Sequence, residues 1–271
     1  MRNPMKYGKA KGIVLLQKYL PKISPFEDVK IISTIDEWNA VKDEYGDFIS
    51  HRVDMPIGTN KKNAVKGTNG FKDSIQGLIE EVNKQGSEGV VLLMRTKEPP
   101  FYRYENDGGF NIFFTLDENI VIELVGKGFD GHELTQGWAM HERYIIPWDE
   151  ALFIRDRIDM LKNDSVVKAR VTPKCYTKQR KERIEFLRND CHYDIADIEK
   201  NVPEQYNLID NEIIKRIMDD VIFELITKQN LLRQDGLKKF VVQGNLLHGK
   251  VQPWEIFRTE RWANIANELD R

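Results

Sequence analysis

The feature that most constrains this chain is its alternation of short apolar runs with amphipathic stretches, none approaching the ~20 apolar residues of a membrane span. Residues 12–20 (GIVLLQKYL) place their apolar positions on one helical face, and Pro21 ends them. Residues 29–33 are short, β-branched and strand-like. Residues 36–45 read as a helix capped by Thr34 or Asp36, and residues 48–53 as a strand. A polar, glycine-bearing loop follows, PIGTNKKNAVKGTNG. Residues 73–84 put Ile75, Leu78, Ile79 and Val82 on one face, which predicts a helix. Residues 89–95 (GVVLLMR) form a buried strand, and residues 110–116 and 120–125 a hairpin joined by DEN. Such mixing makes residues 1–125 an α/β or α+β unit.

From Trp148 the character changes. Residues 150–163 and 179–200 are charged and helical, and residues 168–183 gather basic side chains around Pro173. The plain reading of that stretch is a solvated helix surface with a turn at Pro173. The functional one is a basic patch facing phosphates or an acidic partner. Residues 210–228 form a strong amphipathic helix through Ile213, Ile214, Ile217, Met218, Val221, Ile222 and Leu225. Residues 240–242 and 250–257 predict two antiparallel strands around a glycine-bearing turn, and residues 259–269 a short terminal helix.

Composition narrows the class. The chain has 271 residues, 41% hydrophobic and 31% charged, so it can bury a core as one large domain or two joined lobes. Lys+Arg 41 against Asp+Glu 43 leaves a net charge of −2, with no overall drive toward nucleic acid or anionic membranes. The two cysteines, Cys175 and Cys191, exclude a disulfide scaffold or multi-cysteine zinc module. The basic start lacks the apolar stretch of a secretory signal, so a cytoplasmic location is expected.

Four clusters carry candidate chemistry. The first is Tyr7-Gly8-Lys9-Ala10-Lys11-Gly12, a Gly-Lys pair before a helix, where glycine admits a phosphate and lysine supplies charge, without the Walker spacing. The second is Arg52, at the end of a strand before a loop containing Lys61, Lys62, Lys66 and Gly67. An arginine fork there suits phosphate or carboxylate. The third, residues 123–137, crowds glycines and carboxylates at a strand exit around Glu123, Gly126 and Gly128. It suggests close backbone approach to a ligand, although the dinucleotide fingerprint is absent. His132, Glu133, His141 and Glu142 nearby do not form the HExxH zinc pattern. The fourth is residues 243–258, where a hairpin would bring Gln243 level with Glu255. An amide oxygen and a carboxylate are hard donors suited to Mg2+ held against phosphates, and Arg258 follows.

In order, these clusters resemble the nucleotide-binding domain of the pyruvate phosphate dikinase and phosphoenolpyruvate synthase family, which has the ATP-grasp fold. GKAKGIVLLQKYL is similar to the family's Gly-Lys segment and helix. FISHRVD is similar to its phosphate-binding arginine strand, and VKGTNGFKDSIQGLIEEV to its glycine loop and helix. GVVLLMRT is similar to the strand entering the adenine hinge, and IELVGKGFDGHELTQG to its central glycine-rich exit. VVQGNLLHGKVQPWEIFR is similar to its final hairpin. There the family has Glu and Gln twelve positions apart. Here Gln243 and Glu255 keep that spacing with the residue types exchanged, and Arg258 lies one position later than in the family. The segment at about 148–200 has no counterpart.

The resemblance implies an α+β, ATP-grasp-like fold with ATP between two lobes, residues 1–86 and 87–271, and a helical insertion at about 148–200. Lys9, Arg52 and Arg258 would be catalytic. Lys9, Arg52, Lys66, Gly67, Met94, Glu123, Gly126 and Gly128 would bind ATP, with Met94 near the hinge. Gln243 and Glu255 would hold Mg2+. The implied activity is phosphate transfer from Mg-ATP to an acceptor, such as a protein histidine in trans. The family's swivelling phosphohistidine and barrel domains have no counterpart in the chain, so the full pyruvate reaction is not expected of it. The alternatives are a non-catalytic nucleotide sensor and an ATP-grasp ligase activating a carboxylate. A nucleic-acid binder using residues 168–183 with Tyr176 is disfavoured by the net charge.

Overall fold

The computed structural model describes residues 3–57, 70–84, 88–97, 105–131, 134, 142–154, 173–189, 193–202 and 209–258. The fold is mixed α+β, with two antiparallel sheets that belong to two compact units, residues 1–101 and 102–271. The division falls at 101/102 rather than at the expected 86/87. Strand β4 (Val90–Thr96) is the reason, because it pairs with both β1 (Phe26–Ile32) and β2 (Phe48–Asp54). A boundary before β4 would cut the first sheet through a central strand.

In the first unit the strand order is β1-β4-β2-β3, with β3 (Gly70–Phe71) only two residues long. Helix α2 (Ile35–Val41) starts on a capping box: the Thr34 hydroxyl accepts from Glu37 N, and the Glu37 carboxylate accepts from Thr34 N. Such a cap contributes about 1 kcal/mol. Helix α2 and α3 (Ser74–Lys84) bury Trp38, Ile75 and Ile79 against Ile32, Ile49, Val91 and Leu93 of the sheet. The alternation of a strand puts Arg52 and Asp54 on the opposite face.

Helix α1 (Gly8–Tyr19) begins four residues before the predicted start. Its N-cap residue, Tyr7, makes no side-chain cap. The cap comes from β2 instead, where Asp54 Oδ2 accepts from Ala10 N at 2.7 Å. Asp54 is only 1% exposed, and its other oxygen accepts from Met55 N at 2.9 Å. A carboxylate at the positive end of a helix is favourable, so this contact fixes α1 to the sheet.

The second unit contains a five-stranded sheet ordered β7-β6-β5-β8-β9. Its strands are β5 (Gly108–Thr115), β6 (Asn119–Val125), β7 (Glu142–Pro147), β8 (Lys239–Leu247) and β9 (Lys250–Arg258). Residues 116–118 join β5 to β6, with Asp117 at φ 70°, a conformation Asp tolerates better than most residues. His248 (φ 50°) and Gly249 (φ 69°) join β8 to β9 in a two-residue turn. Positive φ at both positions matches the right-handed twist of a hairpin. Strand β7 was not anticipated, although residues 142, 144 and 146 alternate as buried positions.

One face of this sheet is apolar and fully buried through Phe110, Ile112, Phe114, Ile120, Ile122, Leu124, Tyr144, Ile146, Phe240, Val242 and Ile256. Phe114 and Phe240 stack across β5–β8 at 4.8 Å. Helix α4 (Ala151–Ile154) follows β7. Helices α5 (Pro173–Asn189) and α6 (Ile195–Asn201) share a small core of Leu187, Ile198 and Val202. Pro173 is the first residue of α5 rather than a turn, a position where its missing N–H costs nothing. The predicted helix over 210–228 is α7 (Asn211–Ile217), a π-helical segment (Met218–Phe223) and α8 (Glu224–Ile226), followed by α9 (Gln229–Gln234). Among the described residues, no helix is long and apolar enough to cross a membrane. The predicted helix over 259–269 lies outside the described residues.

Candidate functional site

The opposite face of the five-stranded sheet carries the site. Strand pairing sets Arg143, Glu123, Asn111, Gln243 and Glu255 side by side in one row across all five strands. Residues directly opposite one another share a face, with Cβ atoms roughly 4.5–5.5 Å apart. Asn111, Glu123 and Glu255 are 2%, 6% and 4% exposed. Buried polar groups on a sheet are costly unless partnered, so this row stands apart from the apolar packing beside it.

The next row along the same face is apolar. Phe113, Val121 and Val241 are buried there, with Ile145 and Phe257 packed against them. Beyond the other edge of the polar row lie Asn245 and Gln252, a further cross-strand pair, both nearly buried.

A β-bulge makes the Gln243–Glu255 pair. From the turn, the register runs Leu247↔Lys250 to Gly244↔Pro253, then jumps to Gln243↔Glu255 and leaves Trp254 unpaired. Without that extra residue Gln243 would face Trp254, and Glu255 would point to the apolar side. Pro253 lacks an N–H and is tolerated because β9 is an edge strand.

Hydrogen bonds orient the row. Gln243 Nε2 donates to Gly131 O at 2.7 Å and to Asn111 Oδ1 at 3.2 Å. A carbonyl only accepts, so the amide nitrogen must face Gly131, and Gln243 Oε1 lies on the other side of the same amide. Glu123 Oε1 accepts from Arg143 Nε at 2.9 Å and Nη2 at 2.5 Å. That ion pair balances one of the two carboxylates of the row.

Residues 126–131 fold back over the sheet above this row. A Cβ on Gly109 would lie 2.8 Å from Asp130 Cα, and one on Gly131 would lie 2.6 Å from Gly244 O. Only glycine allows the loop to press this closely. Gly131 N donates to Asn245 Oδ1 at 3.1 Å. Gly128, at φ 86°, donates its N–H to Asn106 O at 2.9 Å. Its carbonyl accepts from Arg183 Nε at 3.2 Å and Nη2 at 3.0 Å. The glycine-rich exit therefore approaches backbone and side chains of its own unit.

The second unit thus brings together Glu123, Gln243 and Glu255, with Gly126 and Gly128 in the loop above. Arg258 closes β9 with its backbone opposite Phe240. Asn111, Arg143 and Asn245 were missed by sequence reasoning. The available signal was Asn111, a lone polar residue in the apolar run GGFNIFFT. Glu142 gathers with no metal-ligating cluster among the described residues. It accepts from the Tyr144 hydroxyl and from Ile209 N. Among the described residues no group of three or more His, Cys, Asp or Glu side chains gathers. His132, Glu133 and His141 lie outside the described residues.

The first unit holds the other candidates. Arg52 is half-buried on β2, two residues before Asp54. Lys9 occupies the first turn of α1, where Asp54 already supplies the negative group for the helix end. Any anion bound there must be met by side chains rather than by Ala10 N. Met94, expected near a hinge, lies inside the central strand β4, paired with Val29 and Ser50, and is 4% exposed. Its backbone groups belong to sheet ladders, which leaves none for a base. Lys61, Lys62, Lys66 and Gly67 lie outside the described residues. His51 faces the α2–α3 side of the sheet at 6% exposure, and burial pushes its imidazole below the usual histidine range.

No protein-family model and no curated protein sequence matches the chain. Among solved structures, it is similar to ACD1 of Ca. Korarchaeum cryptofilum in complex with coenzyme A, at 11% identity and a TM-score of 0.45, covering 92% of this chain and 90% of that one. It is also similar to PH1788 from Pyrococcus horikoshii Ot3, at 11% identity and a TM-score of 0.37, covering 86% and 83%. Likenesses of this size assign nothing, and the functional reading rests on the residues themselves.

Proposed function

We propose that the chain is an ATP-grasp-type phosphotransferase that uses Mg2+-ATP, with Gln243 and Glu255 as the protein's metal donors. One observation carries the reading: a bulge places these two oxygen-bearing side chains level in a buried row with Asn111 and Glu123. The donor chemistry fits the group. Mg2+ is commonly held by one or two protein oxygens and completed by water and phosphate oxygens. Gln243 Oε1 is presented by an amide whose nitrogen is tied to Gly131 and Asn111.

When bound, Mg2+-ATP supplies the phosphoryl group and neutralises part of its charge. The chain's own work is positioning. The Gly131 carbonyl fixes the Gln243 amide, and Glu255 adds the negative charge that a cation requires. The Arg143–Glu123 ion pair offsets the Glu123 charge within the row. Supporting features are the order of the four clusters and the twelve-residue Gln243–Glu255 spacing.

Thermal unfolding with and without Mg2+-ATP tests this. At a hundredfold excess over Kd, ligand adds about 2.7 kcal/mol of stability. The gain is expected in the wild type and not in Glu255→Gln. ATP binding without consumption in the presence of any acceptor would favour the sensor. No stabilisation by any nucleotide would overturn the proposal.

A further inference from the structure

The helical insertion reaches the proposed metal pair through one buried arginine. Arg183, on α5, sits among basic residues that read as a solvated surface, yet it is 2% exposed. Its guanidinium donates two hydrogen bonds to Gly128 O. Gly128 N is held from the other side by Asn106 O. Three residues later, Gly131 meets the sheet with both backbone groups: its N–H donates to Asn245, and its carbonyl accepts from Gln243. One connected set of bonds therefore runs from α5 to the amide of Gln243, which faces Glu255 across β8–β9.

We propose that Arg183 is a positioning residue that couples the α5–α6 insertion to the Gln243–Glu255 pair. The inference deepens the reading of that pair as a metal site and rests on it for its consequence, but the coupling is a property of the fold. The fork geometry of arginine matters here. Two donors on one carbonyl fix both the place and the tilt of Gly128, whereas lysine would fix a point only. The insertion is itself held together, since Leu187, Ile198 and Val202 pack between α5 and α6, and Arg180 Nη2 donates to Val202 O at 3.1 Å. A partner or ligand that shifts α5 would thus shift the Gln243 amide.

The experiment compares the full-length wild type with Arg183→Lys and Arg183→Gln. Solvent exchange of the Gln243 side-chain amide is read by NMR, with backbone amides of β6 as an internal reference. Binding of Mn2+-ATP is read separately by calorimetry. Exchange of Gln243 Nε2–H is expected to quicken roughly tenfold in Arg183→Gln and by less in Arg183→Lys, while β6 stays protected. Mn2+-ATP affinity is expected to fall in the same order. Unchanged Gln243 exchange in a folded variant overturns the coupling. So does equal quickening across β6, which would mark a general loss of stability. Should Arg183→Gln fail to fold, Arg183→Lys decides alone, and unaltered exchange there overturns the proposal. If no variant, wild type included, binds Mn2+-ATP, the metal-site reading fails while the exchange result still decides the coupling.

Discussion

Gly109→Ala is the sharpest test of how the loop at residues 126–131 shapes the site. Gly109 carries no left-handed strain, so the effect of a methyl group there is steric. That methyl would sit 2.8 Å from Asp130 Cα and overlap Gly131 N. Both neighbours are backbone and cannot swing away as a flexible side chain would. The loop must lift, and lifting it breaks the bonds from Gly131 N to Asn245 and from Gln243 to Gly131 O. Two net hydrogen bonds are worth about 1 kcal/mol each. Overpacking adds about 1–3 kcal/mol. The expected loss is therefore about 3–5 kcal/mol, measured by urea unfolding of the second unit, together with weakened Mg2+-ATP binding. A loss below about 0.5 kcal/mol would refute the claim that the loop is pressed onto the sheet.

Gly77 lies in α3 with open space around its missing Cβ. Gly77→Ala should stabilise the first unit by about 0.8–1 kcal/mol in thermal or urea unfolding, and a destabilisation would show that the helix face is more crowded than described. His51 is buried with its proton affinity lowered by desolvation, from an ordinary 6.5. As pH falls below 6.5 the unfolded chain takes up this proton first, so stability is full above that pH and declines as pH drops toward the lower folded value. Urea midpoints at a series of pH values, with the His51 imidazole titration followed by NMR, check this. A His51 that titrates at or above 6.5 contradicts it.

Much of the architecture was legible because local signals agreed with the fold. The Thr34–Glu37 box announces α2, and apolar alternation announces β5, β6 and β8. The Gln243–Glu255 pair could be expected from a hairpin, but its register could not. A two-residue turn alone would have set Gln243 against Trp254, and only the bulge corrects it. Pro253, which an interior strand would not accept, is the sole hint of that irregularity in the sequence. Strand β7 was hidden because ERYIIP is short and follows a glycine-rich stretch that reads as a loop. The burial of Arg183 was not legible at all. It depends on Gly128, 55 residues earlier, and helix-surface patterning carries no trace of such a contact. The setting of Met94 was partly legible for a related reason: an apolar run shows a buried strand but not which strands flank it.

Gln243 and Glu255 are proposed to hold the metal of Mg2+-ATP. The direct measurement is the broadening of assigned side-chain amide signals by substoichiometric Mn2+-ATP. The amides of Gln243 and Asn111 should broaden first, and the effect should vanish in Glu255→Gln. Broadening that spares both amides, or that persists unchanged in Glu255→Gln, would contradict the claim.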